Sequence, residues 1–170
     1  MEPIIHLEKI NYLNWHDVED LRVTREQKCF LPDNVTSLAY AGIVREAGFQ
    51  VFTFGIYKGD RPIGFAMIGY DIPYEPDDDL NEKYRFTRSS YFIWRFMIDE
   101  RWQGKGYGKE ALRLLIDFIR SAPCREAKYA WLCYNTANSV ARNMYASAGF
   151  EEVPEAYDEE DDEMPAVLKL

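Results

Sequence analysis

The sequence predicts one α/β domain over residues 1–170, with a mixed, mostly antiparallel central sheet flanked by helices. Two early strands, "QVFTFGIY" and "RPIGFAMIGY", are separated only by "KGD", which is the spacing of an antiparallel hairpin. The apolar run "SSYFIWRFMID" predicts a central strand, and a long amphipathic helix follows it before the next strand, "AKYAWLCY". Because a strand-helix-strand unit crosses over to a parallel neighbour, the sheet has to be mixed. A chain of 170 residues that is 47% hydrophobic is the size of a single domain.

Local signals predict the other elements. "PIIHLEKI" alternates like a strand, Asn14 is a candidate cap for a short helix, and a second helix runs from Asn34 to near Gly48. "NSVARNMYASAG" predicts a helix that ends at Gly149, and "EMPAVLKL" predicts the last strand. The apolar positions expected on the buried sides of the two long helices are Val35, Leu38, Ala39, Ile43 and Val44, then Leu112, Leu115, Ile116 and Ile119.

Acidic residues are concentrated in two segments, 71–82 and 151–163, which contain no Lys or Arg in a chain of net charge −9. Acids that line a cleft attract cations, so these segments favour a cationic ligand, although solvated loops have the same composition. The same charge disfavours nucleic acid. No run is long enough to span a membrane and the N-terminus lacks a signal pattern, so we expect a cytoplasmic protein without membrane contact. The spacing of the three cysteines predicts neither a disulfide framework nor a metal site.

The stretch "QGKGYGKEAL", residues 103–112, places three glycines at alternate positions before the longest predicted helix. Glycines permit positive φ angles, and the free N–H groups at a helix start attract anions, so the stretch predicts a phosphate site. A P-loop would need Ser or Thr after Lys109, where Glu110 stands. A dinucleotide fingerprint would need G-x-G-x-x-G and an acidic residue at the end of the next strand, which ends in Tyr134. A glycine-rich turn that serves only helix packing is the remaining alternative.

The spacing Q-x-x-G-x-G, carried by Gln103, Gly106 and Gly108, resembles the pyrophosphate loop of the GNAT family of acetyl-CoA-dependent N-acetyltransferases. "FMIDERWQGKGYGKEAL" is similar to the central strand, loop and helix of that family, and "NSVARNMYASAGF" to its N-x-x-A-x-x-x-Y-x-x-x-G-F segment. The segments "PIGFAMIGYD", "EQKCFLPDN" and "AVLKL" are most similar to the bacterial spermine/spermidine acetyltransferase branch. The resemblance covers most of residues 50–170 and implies a GNAT-like acyl-CoA N-acyltransferase fold.

The resemblance also implies that acetyl-CoA is the cosubstrate and indicates which residues bind it. The loop amides would hold its pyrophosphate, and its pantetheine arm would pair with the central strand, where a backbone N–H polarises the thioester carbonyl. Tyr145 matches the tyrosine that protonates the leaving thiolate, since a phenol with a pKa near ~10 can protonate a thiolate near ~8.5. The expected cofactor-binding residues are Phe96, Met97, Ile98, Gln103, Gly104, Lys105, Gly106, Tyr107, Gly108, Lys109, Asn138 and Tyr145.

The general base is not specified by the resemblance. Animal-type polyamine acetyltransferases carry an acidic residue on the central strand at the position of Trp94, so another group has to deprotonate the amine here. Glu26, Asp71 and Glu75 are candidates that would act through water. The expected substrate-binding residues are Asp71, Glu75 and Asp77, for distant ammonium groups, and Trp94, whose aromatic face can bind a cation but also suits core packing.

These patterns predict that the protein transfers an acetyl group from acetyl-CoA to a primary amine by direct attack on the thioester. A small cationic amine, best a polyamine such as spermine or spermidine, fits the acidic segments. A protein N-terminus or an aminoglycoside-type amine is the alternative acceptor, and a non-catalytic acyl-CoA-binding sensor is the alternative of a different class. A sensor would have no need of a proton donor at Tyr145. Family members are commonly dimers, so a homodimer is a further expectation, although the sequence identifies no interface.

Overall fold

The structure, a computed structural model, describes residues 5–74 and 82–170, and its strands form one seven-stranded sheet in the order β1-β2-β3-β4-β5-β7-β6. Neighbouring strands are antiparallel except β4 and β5, which are parallel. The predicted mixed, mostly antiparallel sheet is therefore confirmed. The strands are β1 (Ile5–Lys9), β2 (Gln50–Lys58), β3 (Arg61–Tyr70), β4 (Tyr91–Ile98), β5 (Tyr129–Asn135), β6 (Glu151–Glu152) and β7 (Glu163–Lys169). The α-helices are α1 (His16–Glu19), α2 (Asn34–Glu46), α3 (Tyr107–Arg120) and α4 (Ser139–Ser147), and short 3-10 helices lie at Arg25–Gln27, Glu82–Thr87, Glu100–Trp102 and Pro154–Ala156.

The two faces of the sheet carry separate hydrophobic clusters. Because side chains alternate along a strand, Ala66 and Ile68 of β3 join the cluster that includes α3 and α4, whereas Phe65 and Met67 join the cluster under α1 and α2. The apolar stripe predicted for α3 is buried as expected, with Leu115 fully inaccessible to solvent. No helix in residues 5–74 and 82–170 is long and apolar enough to cross a bilayer.

A bulge in β4 shifts its register against β3. Met67 pairs with Arg95 and Ile68 pairs with Ile93, so Trp94 is the extra residue of the bulge. On the other edge of β4, parallel pairing with β5 is limited to Tyr91 and Phe92. Within the described residues, the two strands diverge beyond this point. The edge of β4 from Ile93 onward is thus left without a strand partner.

Two predicted details of the first helices are wrong. Trp15, not Asn14, is the N-cap of α1; the Asn14 side chain instead accepts a hydrogen bond from the Asn11 N–H at 2.7 Å and donates to the Lys9 carbonyl at 3.1 Å. It therefore stabilises the turn between β1 and α1.

The buried face of α2 also differs from the apolar stripe predicted for it. Asn34, Ser37 and Ala41 are buried, while Val35 and Ile43 are exposed. The polar residues tolerate burial because they are hydrogen-bonded, Asn34 Nδ2 to the Val18 carbonyl at 2.8 Å and Ser37 Oγ to the Asp33 carbonyl at 3.0 Å. Small polar residues thus bring α2 close to α1, Leu38 and Val44 pack against the cluster under α1 and α2 as predicted, and Ile43 lies along a surface cavity.

Candidate active site

The loop after β4 ends in the N-terminus of α3. Gly106 is the N-cap of this helix in a left-handed conformation, with φ 84°, which a side chain would strain. The first N–H groups of a helix have no intrahelical partner and point along the axis, so the loop offers a set of donors reinforced by the helix dipole. Lys109 lies in the first turn beside them. This local geometry suits a phosphate or pyrophosphate.

The Gln103 side chain fixes the loop to two other elements. Its Nε2 donates to the Ile98 carbonyl at 2.8 Å and to Gln27 Oε1 at 2.8 Å, which joins the loop to β4 and to the 3-10 helix after α1. The side chains of Lys105 and Tyr107 lie away from the loop interior, since Lys105 bonds the Arg101 carbonyl at 2.9 Å and Tyr107 is hydrogen-bonded to Lys58. If these two residues bind a cofactor, their backbone is the part that contributes.

A cavity of about 580 Å³ runs from this loop along the unpaired edge of β4 to α4. A Cβ on Gly108 would lie 3.3 Å from Met144 Sδ, so a glycine at this position keeps α3 close to α4. Asn138, the N-cap of α4, uses its Oδ1 to accept the Ala141 N–H at 3.1 Å and also lines the cavity. The predicted cofactor residues that line this cavity are Phe96, Met97, Ile98, Gln103, Gly104, Gly106, Gly108, Lys109, Asn138 and Tyr145.

Tyr145 lies on α4 where this cavity meets the hydrophobic core. Its side chain is 8% exposed and packs against Tyr134 and Phe150, with ring centroids 5.9 and 6.0 Å away. No hydrogen bond to its hydroxyl is formed by residues 5–74 or 82–170. Burial raises the pKa of Tyr145 above its ordinary value, so the phenol stays protonated across the neutral range.

A second, larger cavity of about 880 Å³ lies under α2. Its apolar wall contains Ile43 and Val44 from α2, two of the residues that were predicted to face the core. Aromatic side chains complete the wall: Trp94 lies edge-on to Tyr40 at 5.2 Å between ring centroids, and Trp131 stacks on Phe92 at 3.8 Å.

The charged residues of the larger cavity come from three parts of the chain. Among its described lining residues, Asp158, Asp161 and Glu163 are acidic and Arg95 is basic, which leaves an excess of negative charge. Burial lowers the pKa of Arg95, an effect that the negative charge of Glu163 opposes. Burial raises the pKa of Glu163 above its ordinary value, Asp161 adds to the rise, and Arg95 opposes it. The cavity is therefore suited to a cation with apolar segments.

The two cavities adjoin at two places along the backbone. On β4, Arg95 lines the larger cavity and the next residue, Phe96, lines the smaller one. Before α2, Leu31 lines the smaller cavity and the next residue, Pro32, lines the larger one. Because consecutive Cα atoms lie ~3.8 Å apart, the walls of the two cavities are contiguous next to the bulge of β4.

The residues predicted for the acceptor side are only partly brought together. Trp94 lines the larger cavity, as expected for a substrate-binding residue. Glu26 is exposed and lines neither cavity, and the exposed Asp71 accepts the Ser89 N–H at 2.7 Å away from both. Glu75 and Asp77 lie outside the described residues. The described carboxylates of this cavity come instead from the second acidic segment, 151–163.

The sequence contained a signal for these carboxylates, because that acidic segment leads directly into the last predicted strand. Arg95 was the unrecognised residue, since a cation inside an apolar strand has no local pattern that distinguishes it. Cys133 also lines the larger cavity, and burial raises the pKa of its thiol, so it is not present as a thiolate nucleophile. Within the described chain, no group of three or more His, Cys, Asp or Glu residues could hold a metal ion.

The glycine-rich helix start, the unpaired strand edge and the adjoining second cavity define a transferase that uses an acyl-CoA donor. Residues 14–150 match the Acetyltransferase (GNAT) family, and the chain belongs to that family. It is an acetyl-CoA-dependent N-acetyltransferase. The smaller cavity fits the cosubstrate, because its helix N-terminus suits a pyrophosphate and its free strand edge suits the amide-containing pantetheine arm.

Comparisons with individual proteins give the same family. The chain is 30% identical over 147 residues to a spermine/spermidine N(1)-acetyltransferase of Bacillus subtilis (strain 168), an alignment that covers 86% of this chain and 88% of that protein. Its fold is similar to that of aminoglycoside acetyltransferase AAC(6')-Ib in complex with coenzyme A, with a TM-score of 0.69, 16% identity and coverage of 97% and 94% of the two chains. An acetyltransferase of Salmonella typhimurium that modifies the N-terminal serine of a 50S ribosomal subunit protein has a TM-score of 0.68, 11% identity and coverage of 98% and 95%.

Proposed function

We propose that the protein acetylates a primary amine of a small polycation, with spermine and spermidine as the best candidates. The observation that carries this proposal is the acceptor cavity, where Asp158, Asp161 and Glu163 face aromatic and aliphatic walls and outnumber the single basic residue among those described. A polyamine has the matching chemistry, with ammonium groups separated by methylene segments. The 30% identity to a spermine/spermidine acetyltransferase supports the same acceptor class.

The donor half is proposed to use the loop and β4. When bound, acetyl-CoA supplies an activated thioester. The N–H groups from Gln103 to Lys109 would hold the pyrophosphate, and the backbone of Phe96, Met97 and Ile98 would pair with the pantetheine arm. Asn138 would contact the same arm from the start of α4. A backbone N–H of β4 would polarise the thioester carbonyl, which makes its carbon more electrophilic.

Tyr145 is proposed as the general acid. Its protonated hydroxyl lines the donor cavity and is free of hydrogen bonds from the described residues, so it can donate to the departing sulfur. The protonated state of Cys133 supports direct attack by the amine rather than transfer through an acetylated cysteine. Trp94 would form the acceptor wall at the junction of the two cavities.

A thiol-release screen with acetyl-CoA tests the acceptor class. Spermine, spermidine, a diamine, an aminoglycoside and a short peptide are compared by kcat/KM at equal ionic strength. We expect the polyamines to give the highest values. A higher kcat/KM for the peptide or the aminoglycoside would identify that class as the acceptor instead. Thiol release with none of them would show that the protein acetylates no amine of these classes.

One observation favours a peptide N-terminus as the second candidate. Arg95 lines the acceptor cavity, and its guanidinium lies 6.0 Å from the Trp94 ring centroid. A guanidinium repels a polycation but can donate to a carbonyl oxygen next to an amine. In the same screen, Arg95→Met is expected to raise kcat/KM for spermine and to lower it for the peptide.

The proposal also includes a cytoplasmic location and a homodimer. Cell fractionation tests the location, and sedimentation velocity tests the oligomeric state.

A further inference from the structure

Glu163 lies beside the part of β5 that has diverged from β4. It is the first residue of β7 and pairs with Asn135 at the end of β5. Because side chains alternate along a strand, Glu163 lies on the same face as Val167, which packs against the cluster of Trp131. Trp131 stacks on Phe92 of β4, so this face of β7 lies beside the acceptor face of β4. Glu163 thus lines the same cavity as Trp94 and Arg95, and its charge acts on Arg95.

The three described carboxylates of this cavity differ in their surroundings. Asp158 accepts the backbone N–H of Glu160 at 2.9 Å and of Asp161 at 3.3 Å, and Asp161 is exposed. Glu163 is half-buried, and its carboxylate accepts no hydrogen bond from residues 5–74 or 82–170. Its backbone is nevertheless fixed by two hydrogen bonds with Asp158, at 2.9 and 3.1 Å. A half-buried carboxylate without a donor is typical of a functional group.

We propose that Glu163 is the base that removes protons from the acceptor nitrogen, a catalytic role that rests on the amine acetylation proposed above. An alkylammonium has a pKa near ~10.4, so its nitrogen loses one proton before attack and a second as the amide forms. The nitrogen–carbon bond forms and the carbon–sulfur bond breaks, while Glu163 accepts each proton from nitrogen and passes it to water. The sulfur takes a proton from the Tyr145 hydroxyl, which regains one from water. One proton is therefore released per acetyl group transferred.

The charges around Glu163 support this role. Burial raises the pKa of Glu163, Asp161 and Asp158 raise it further, and Arg95 opposes them. A raised pKa makes the carboxylate a stronger base. The titratable groups that face Glu163 from the surrounding elements are Arg95 of β4, Cys133 of β5, Tyr74 after β3, and Asp158 and Asp161 before β7.

The test is Glu163→Gln, which keeps the shape of the side chain and removes its charge. The variant is assayed by thiol release from pH 5 to 9.5, with the amine that the wild type uses best. We expect kcat to fall by about 10²–10⁴-fold, the usual contribution of a general base, and the Kd for acetyl-CoA to stay unchanged. In the wild type, kcat/KM should fall at low pH as Glu163 becomes protonated. This acid limb of the profile should disappear in the variant. Glu159→Gln makes the same change at an exposed neighbour outside the cavity and should leave activity at the wild-type level.

Other results would overturn the assignment. A Glu163→Gln variant that keeps kcat and the acid limb but has a higher KM for the amine would show that Glu163 only binds an ammonium group. A wild type that turns over no amine would instead reject the proposed function, so the two failures are distinguishable. Glu163→Asp keeps a carboxylate and should keep part of the turnover and the acid limb. Loss of the limb in that variant would also contradict the proposal.

Folding provides an independent readout. A carboxyl whose pKa is raised by folding destabilises the folded state increasingly as the pH rises from its unfolded pKa to its folded pKa and fully above the latter, and has no effect where it is protonated in both states. Glu163→Gln is therefore expected to raise Tm at pH 7.5, with a gain that shrinks towards zero at pH 4. A higher Tm combined with lost turnover would identify a group retained for chemistry. A lower Tm at pH 7.5 would show that the charge stabilises the fold instead.

Discussion

Gln103 Nε2 donates a 2.8 Å hydrogen bond to Oε1 of Gln27, a residue 76 positions earlier in the chain. The same nitrogen donates to the carbonyl oxygen of Ile98, also at 2.8 Å. One side-chain amide therefore holds the glycine loop, the end of β4 and the segment after α1 in a fixed arrangement. Movement of the loop away from β4 breaks the bond to Ile98, and movement away from the segment after α1 breaks the bond to Gln27.

This connection predicts coupled effects on cofactor binding. Gln103→Ala and Gln27→Ala should each raise the Kd for CoA about fivefold, because a hydrogen bond contributes ~1 kcal/mol net. The double variant should lose less CoA-binding free energy than the sum of the two single variants' losses, since both substitutions remove the same hydrogen bond. Calorimetric titration with CoA measures this, with the exposed Gln50→Ala as the control. Strict additivity would show that the two side chains act separately.

Tyr145→Phe should keep CoA affinity and lose turnover. The substitution removes only the hydroxyl from a ring that stays packed against Phe150. We expect kcat to fall about 10²-fold, the lower end of general acid catalysis. Because burial raises the pKa of Tyr145, the acid form persists as pH increases, and the wild-type rate should show no decline from this group below pH ~10. Thiol release and CoA titration measure the two effects, and Tyr129→Phe on the surface is the matched control. Near-normal kcat in the Tyr145 variant would remove it from the mechanism.

Gly106 is required for its backbone conformation rather than for space. A Cβ there would contact nothing within 4 Å, but the φ of +84° is unfavourable for other residues. Gly106→Ala should lower the free energy of unfolding by about 1–2 kcal/mol, and Gly106→Asn by less, because Asn tolerates this conformation. Gly42→Ala, in α2 and equally unobstructed, should instead leave stability equal or raise it by up to ~1 kcal/mol. Urea denaturation compares the three variants, and equal losses at both glycines would contradict the backbone argument.

Ionic strength should separate polyamines from monoamines. The carboxylates of the acceptor cavity act on every ammonium group of the ligand, so added salt should raise the KM for spermine more than that for a monoamine. Asp161→Asn removes one exposed charge of this set and should reduce the difference. The assay is thiol release in low salt and in ~0.3 M salt, where the screening length is well under 10 Å. Equal shifts for both amines would show that the acidic residues do not attract the substrate.

The lining of the smaller cavity was largely predictable from the sequence, and that of the larger cavity only partly so. The glycine loop and the buried stripe of α3 depend on residues a few positions apart, so their pattern fixes their geometry. The larger cavity combines side chains from three distant elements, Tyr40, Arg95 and Glu163. No local sequence pattern indicates that these residues line the same cavity. The α2 error has the same origin, because the burial of Asn34 depends on a hydrogen bond to Val18, which only the tertiary structure supplies.

The bulge at Trp94 separates two parts of β4, one that offers its backbone edge and one that offers its side chains. Beyond it, the edge of β4 at Phe96 to Ile98 has no strand partner on the β5 side, and at the bulge β4 presents the side chains of Trp94 and Arg95 to the larger cavity. Backbone geometry is insensitive to most substitutions, whereas side-chain chemistry changes with each one. Under the proposed function, acceptor preference can therefore diversify at positions 94 and 95 by point mutation alone while the groove proposed for the donor is retained. A one-residue deletion there would remove the bulge, and with it one of the two side chains that face the larger cavity, while Phe96 to Ile98 keep their pairing with β3.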